Sequence, residues 1–204
     1  MTDKLDPDTA FLFDVGNVIL FFDFGRLARA IESECDCSAE QLLELIEAPK
    51  QEFEGSFKDV DRFLKQSFEL IGYRGTREKF VRAWEEIFTL NEPIADWIGE
   101  LAAAGHPLFL LSNTNQLHAD HFLTAYPVFS RFDGWVLSHE AGCAKPDPEI
   151  YTHAIEKLDL DPARTIYLDD LKENIEEGQA AGFRSILYSN QSPAEVVRQA
   201  FADG

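Results

Sequence analysis

The chain has 204 residues, 45% of them apolar, and a formal net charge of −19. That length suits one core carrying an insertion, or two small domains. The charge repels nucleic-acid backbone and anionic membrane, so neither is an expected partner, and an anionic substrate would need a local cation. The polar opening from Met1 to Asp8 has no apolar signal core, and no stretch approaches the ~18 apolar residues of a membrane span. Three cysteines, Cys35, Cys37 and Cys143, offer neither a disulfide framework nor a zinc pattern. A reducing cytoplasm is the expected compartment.

In chain order, Ala10 to Phe13 is an apolar strand that breaks on Asp14; Gly16 follows, and the apolar character resumes at Val18-Ile19-Leu20. From Phe24 to about Leu90 the pattern is helical. Leu27, Ala28 and Ile31 mark a face of Phe24 to Ser33, and Ser38 with Gln41 is a capping box opening Ala39 to Glu47. Phe63, Leu64, Phe68 and Ile71, then Phe80, Val81, Trp84, Ile87 and Phe88, recur at helical spacing. The stretch is expected to be an all-helical insertion. Phe21, Phe22, Phe24, Phe53 and Phe57 are expected to pack in a core, a minority of them lining a pocket.

Beyond it helix and strand alternate. Pro93 to Ala104 is a helix closed by Gly105, Pro107 to Leu111 a strand ending at Ser112-Asn113-Thr114, and a helix follows through Leu117, His121 and Phe122. Gly134 to Leu137 is a strand. Asp147-Pro148 reads as N-cap and first helical residue of a helix to about Lys157. Thr165 to Leu168 is a strand ending at Asp169-Asp170, Glu173 to Ala181 a helix, Arg184 to Tyr188 a strand, and Ser192 to Glu195 a capping box opening a last helix. Such alternation implies a parallel sheet, which brings Asp14, Ser112 to Thr114, Lys145 and the Asp169-Asp170 pair to one rim.

That set suits phosphoryl transfer. A carboxylate can attack phosphorus, hard oxygen ligands suit Mg²⁺, a hydroxyl can hold a phosphoryl oxygen and a lysine can neutralise developing charge. Taken singly, each residue also has an ordinary structural use as cap, turn or surface charge. His118 and His121, together with His106, His139 and His153, lack a third ligand at metal spacing; the first two are read as partly exposed helix residues.

Four segments in this order resemble the haloacid dehalogenase superfamily, in the branch with a C1 cap. They are Phe13-Asp14-Val15-Gly16-Asn17-Val18-Ile19-Leu20, Leu110-Leu111-Ser112-Asn113-Thr114, Gly142 to Tyr151 around Lys145-Pro146, and Ile166 to Asn174 around Asp169-Asp170. The wording is similar to bacterial sugar-1-phosphate phosphatases and to the N-terminal phosphatase domains of soluble epoxide hydrolases. The resemblance implies an α/β fold, with a Rossmann-like parallel-sheet core over residues 1–22 and 91–204 and an all-helical cap over 23–90. It also implies roles. Asp14 would be nucleophile and Mg²⁺ ligand, the Gly16 carbonyl a second ligand and Asp170 a direct ligand, with Asp169 held through water or one layer out. Ser112 and the Asn113 amide would hold the phosphoryl group, and Lys145 would bind both it and Asp14, keeping that carboxylate ionised. Asn174 stands where many relatives carry another Asp. The partner implied is a small phosphorylated metabolite.

One departure matters. Most such phosphatases carry, two residues after the nucleophile, an Asp that protonates the leaving alcohol and then activates water; here Gly16 stands there. Three readings remain open. One is a phosphatase that does without it, as the sugar-1-phosphate relatives do with a less basic leaving group, or with Asp23 as substitute acid; Asp23 also reads as the N-cap of the next helix. Another is a 2-haloacid dehalogenase, which needs no metal but needs an Arg such as Arg26 or Arg29 for the substrate carboxylate. The third is a non-catalytic binding or regulatory scaffold.

Overall fold

The computed structural model describes residues 6, 8–55 and 59–200. Phe57 and most of the stretch from Met1 to Asp8 therefore lie outside the described residues. Five strands form one parallel sheet: β1 (Ala10–Phe13), β4 (Leu108–Ser112), β5 (Gly134–Leu137), β6 (Thr165–Asp169) and β7 (Arg184–Leu187), in the order β5-β4-β1-β6-β7. β1 is central, with Phe13 in register with Leu110 on one side and Leu168 on the other. Both sheet faces are covered by helices, which is why β1, β4 and β6 read as nearly unbroken apolar runs.

Alternation along β1 divides the core. Phe11 and Phe13 point to one side, packed with Trp97, Ile98 and Leu101 of α5 (Glu92–Ala103) and with Phe122 of α6 (Gln116–Ala125). Ala10 and Leu12 point to the other, against Ile150, Tyr151 and Ala154 of α8 (Pro148–Leu158) and Ile175 of α9 (Lys172–Ala180). Asp147 opens α8 through its carbonyl, which accepts from the Ile150 N–H; its side chain makes no cap bond. The capping box at Ser38 forms in full, and the one at Ser192 forms on its glutamate side. Ser38 and Gln41 bond reciprocally, and the Glu195 carboxylate accepts from the Ser192 N–H ahead of α10 (Pro193–Ala200).

The insertion holds α1 (Phe24–Ile31), α2 (Ala39–Gly55), α3 (Val60–Ile71) and α4 (Arg77–Glu85). Its own core stacks Phe53 on Phe63 at 4.5 Å and sets Phe63 against Trp84 at 4.7 Å. Two features differ from the sequence expectation. Ile87 and Phe88 do not continue α4: Phe88–Leu90 is a strand, β3, paired antiparallel with β2 (Leu20–Phe22), and together they form the two-stranded ribbon from which the insertion departs. A three-residue strand leaves too short an alternation to be seen in sequence. Second, α2 runs past Pro49 to Gly55 instead of ending near Glu47. An internal proline removes one helix bond, but burial of Phe53 against Phe63 offsets that loss, a side chain of this size contributing ~2–3 kcal/mol. Among the described residues no helix is long and apolar enough to cross a membrane.

Candidate active site

All the expected rim residues sit at the carboxyl ends of the strands. Asp14 directly follows β1, and its N–H donates to Leu168 O at 2.9 Å; Ser112 ends β4 and Asp169 ends β6. Parallel strands deliver their last residues to the same edge, so positions 98 and 57 residues apart in sequence meet there. Asp14, Asp169 and Asp170 each offer an oxygen within 4.8 Å of the others.

Lys145 is the hub. It comes from the loop before α8 and is buried at 6% exposure. Its Nζ lies 2.8 Å from Asp14 Oδ1 and 2.6 Å from Asp169 Oδ2, and donates to Leu111 O at 2.9 Å. The Asn113 side chain braces the main chain of Lys145 from both sides: Oδ1 accepts its N–H and Nδ2 donates to its carbonyl, each at 2.8 Å. What Asn113 has left to offer an incoming group is its main-chain N–H.

Asp169 is fully buried and satisfied. Oδ2 accepts from Lys145 and from the Tyr167 hydroxyl at 2.6 Å, while Oδ1 accepts from Leu171 N–H and Asn174 Nδ2 at 2.9 Å. Four donors occupy its lone-pair directions, so its structural task is to hold Lys145. Asp170 is less buried and faces the cavity, one oxygen accepting from Asn17 Nδ2 at 2.9 Å.

Charge in this cluster is unbalanced: three carboxylates face one ammonium. For Asp169, burial works against ionisation but Lys145 and the donors around it win, so its carboxyl sits below the usual range. For Asp14, burial dominates; Lys145 opposes the rise and the charges of Asp169 and Asp170 add to it. Lys145 thus offsets part of the burial cost of an ionised Asp14, and a further cation at this spot would offset more of it. Asn174 Oδ1 is also buried without a hydrogen-bond partner beside the cluster. Hard oxygens, excess negative charge and an orphaned acceptor fit a divalent cation such as Mg²⁺.

A cavity of ≈ 290 Å³ opens onto these residues. Its floor is Asp14, Ser112, Lys145 and Asp170, and its upper wall comes from Phe22, Phe24, Ile87 and Phe88 with two ionisable side chains of α2, Lys50 and Glu54. Lys50 Nζ lies 5.0 Å from the centroid of the Phe24 ring and 3.3 Å from Glu47. The end of α2 is tied to the core, for Ser138 Oγ donates to Glu54 O at 2.5 Å and accepts from Thr114 N–H at 3.0 Å. Lys50 and Glu54 escape sequence reading because they lie beyond Pro49, where the helix was expected to have ended.

Several expectations are corrected. His118 is buried, not partly exposed: it stacks on Trp84 at 4.9 Å, its Nε2 lies 3.0 Å from Trp84 O and its Nδ1 2.9 Å from Asn115 Nδ2. Burial pushes its pKa down to about 3, so it is neutral, with the proton on Nε2 because a carbonyl can only accept. Asp23 is exposed, caps α1 through the Gly25 N–H at 2.8 Å, pairs with Arg29 at 2.9 Å and does not line the cavity. The Arg29 and Gly25 bonds hold its carboxyl below the ordinary range, which unsuits it as an acid. Arg26 spends its guanidinium on Phe88 O and Thr89 Oγ1. Phe21 and Phe22 are exposed, Phe53 is in the insertion core, and Phe22 and Phe24 line the cavity.

The family model for haloacid dehalogenase-like hydrolases matches residues 9–182. D-ribitol-5-phosphate phosphatase of Bacteroides thetaiotaomicron is 29% identical over 188 residues, which cover 88% of this chain and 91% of that protein. The phosphorylated carbohydrates phosphatase of Thermotoga maritima is 28% identical over 123 residues, 60% of this chain and 56% of that one. The crystal structure of a mutant haloacid dehalogenase family enzyme from Bacteroides thetaiotaomicron, in complex with magnesium and inorganic phosphate, superposes with a TM-score of 0.81 at 22% identity, covering 94% of this chain and 100% of that one.

Proposed function

The chain belongs to the haloacid dehalogenase-like hydrolase family, and we propose that it is a Mg²⁺-dependent phosphatase of small phosphomonoesters, of the phosphorylated carbohydrate class. The observation that carries this reading is the buried Asp14–Lys145–Asp169 arrangement with Asp170 beside it, facing one cavity. In this reading residues 23–90 form a cap over the core of residues 1–22 and 91–204. The reading also places the protein in a reducing cytoplasm, in keeping with its three free thiols.

Asp14 attacks phosphorus and becomes the aspartyl-phosphate; water then hydrolyses that intermediate. Ser112 Oγ and the main-chain N–H of Asn113 orient the phosphoryl oxygens, and Lys145 places positive charge beside them as charge spreads in the transition state. Asp169 and Tyr167 keep the Lys145 ammonium aimed at Asp14. Asp14, the Gly16 carbonyl and Asp170 would hold Mg²⁺, which supplies further positive charge next to the phosphoryl group. Phe22, Phe24 and Phe88 give the cavity an aromatic wall on the side facing the insertion.

The two competing readings have less support. A haloacid dehalogenase needs a cation for the substrate carboxylate, but Arg26 and Arg29 are engaged outside the cavity. A pure binding scaffold has no use for a carboxylate held this close to a buried lysine. Phosphate release from a panel of sugar, polyol and aryl phosphates, measured with and without Mg²⁺ and with Asp14→Asn as control, tests the proposal. Mg²⁺-dependent release that the variant lacks is expected; no release from any ester overturns it.

A further inference from the structure

Position 16 leaves the proton transfers of phosphomonoester hydrolysis without an owner, because glycine has no side chain to carry a proton. A Cβ added there would meet Phe22 Cε1 at 3.2 Å, a tight contact that the exposed Phe22 ring would have to ease. The acid must come from elsewhere on the cavity wall. In-line displacement fixes where: with Asp14 attacking from the floor, the leaving oxygen departs on the opposite side, toward the insertion.

Three cavity-lining carboxylates are found among the described residues: Asp14, Asp170 and Glu54. Asp14 and Asp170 belong to the acidic cluster on the floor. Glu54 alone stands on the insertion side. We propose that Glu54 is the general acid for the leaving alcohol and then the general base for the hydrolytic water. This inference rests on the phosphatase reading above.

Placement and environment agree. The last turn of α2 is pinned over the strand ends by the Ser138–Glu54 carbonyl bond, so the Glu54 side chain starts from a fixed backbone. Burial pushes its carboxyl up to about 7, with Lys50 opposing, Glu47 adding to the rise and the Asn115 amide opposing. An acid so placed holds its proton at neutral pH in a large share of molecules, the condition for acting in both directions. The other candidates fail on geometry. His118 has both ring nitrogens engaged, Asp23 lies outside the cavity, and the Lys50 ammonium is spent between Glu47 and the Phe24 ring.

The steps balance. A bond forms from the Asp14 oxygen to phosphorus as the ester P–O bond breaks; the electron pair leaves with the alcohol oxygen, which takes the Glu54 proton. Glu54, now a carboxylate, accepts a proton from the water that attacks phosphorus. Asp14 is released as a carboxylate, inorganic phosphate departs and Glu54 is protonated again.

The test is leaving-group dependence in Glu54→Gln, which preserves size. The quantity is kcat/KM, because it reports only steps up to departure of the alcohol. On an alkyl ester such as glycerol 2-phosphate the variant should lose about 10²–10⁴-fold. On p-nitrophenyl phosphate, whose leaving group departs as a stable anion, the loss should be smaller by at least about tenfold. Equal losses on both esters, or no loss on either, overturn the proposal. Should the Gln variant fold poorly by circular dichroism, Glu54→Asp, which keeps the carboxyl but draws it back by one methylene, should show the same alkyl-selective loss at smaller size; equal losses on both esters there overturn the proposal. A wild-type protein that releases phosphate from no ester of the full sugar, polyol and aryl panel fails the phosphatase reading itself, whereas an active wild type with an unselective Gln variant fails only Glu54.

Discussion

The buried neutral imidazole of His118 makes stability fall in mild acid by an amount the structure sets. Both ring nitrogens are used as those of a neutral imidazole, and the ring lies stacked on Trp84 with no carboxylate among the described residues bonded to it. Its pKa is about 3 in the fold against 6.5 in the unfolded chain. For a base with a depressed folded pKa, the unfolded state takes up the proton first. Stability is intact above pH ~6.5 and is lost at about 1.4 kcal/mol per pH unit as pH falls toward the folded value. Between pH 7 and pH 5 the loss from this residue is therefore ~2 kcal/mol. His118→Gln removes the titration while retaining a polar side chain of similar reach. Urea unfolding of both proteins at pH 7, 6 and 5 measures the effect. The variant is expected to be less stable at pH 7, and the gap to wild type should close by ~2 kcal/mol at pH 5, since carboxyl titrations common to both proteins cancel in the difference. A gap that stays constant across this range refutes the reasoning.

Lys145→Met leaves Asp14 and Asp169 buried without their cation; it should abolish phosphate release and cost ~3–5 kcal/mol in urea unfolding, and an unchanged unfolding midpoint refutes that account. Asn17→Ala removes the donor that orients Asp170; the Mg²⁺ concentration giving half-maximal phosphate release should rise about 10–100-fold, and an unshifted Mg²⁺ titration shows that Asn17 has no such role.

Local chemistry made much of this protein legible. Short apolar runs that break on Asp14, Ser112 and Asp169, alternating with helical segments, fit strands buried on both faces and ending at a rim, so the parallel sheet and most of its floor residues follow from their order along the chain. The capping boxes at Ser38 and Ser192 are equally local, because the groups that bond are three residues apart. Tertiary packing decided the rest. Whether α2 stops at Pro49 depends on Phe53 finding Phe63, a contact between two helices, and only that outcome brings Lys50 and Glu54 over the floor. His118 looks like any polar helix residue until Trp84 arrives from α4 to stack on it and bury it. The pairing of β2 with β3 joins positions 68 residues apart through backbone groups every residue possesses. Residue type and spacing thus determined which chemistry the strand ends could offer. Contacts distant in sequence decided what closes over it, because burial, and the charge state that follows from burial, belongs to the assembled surroundings and not to the residue.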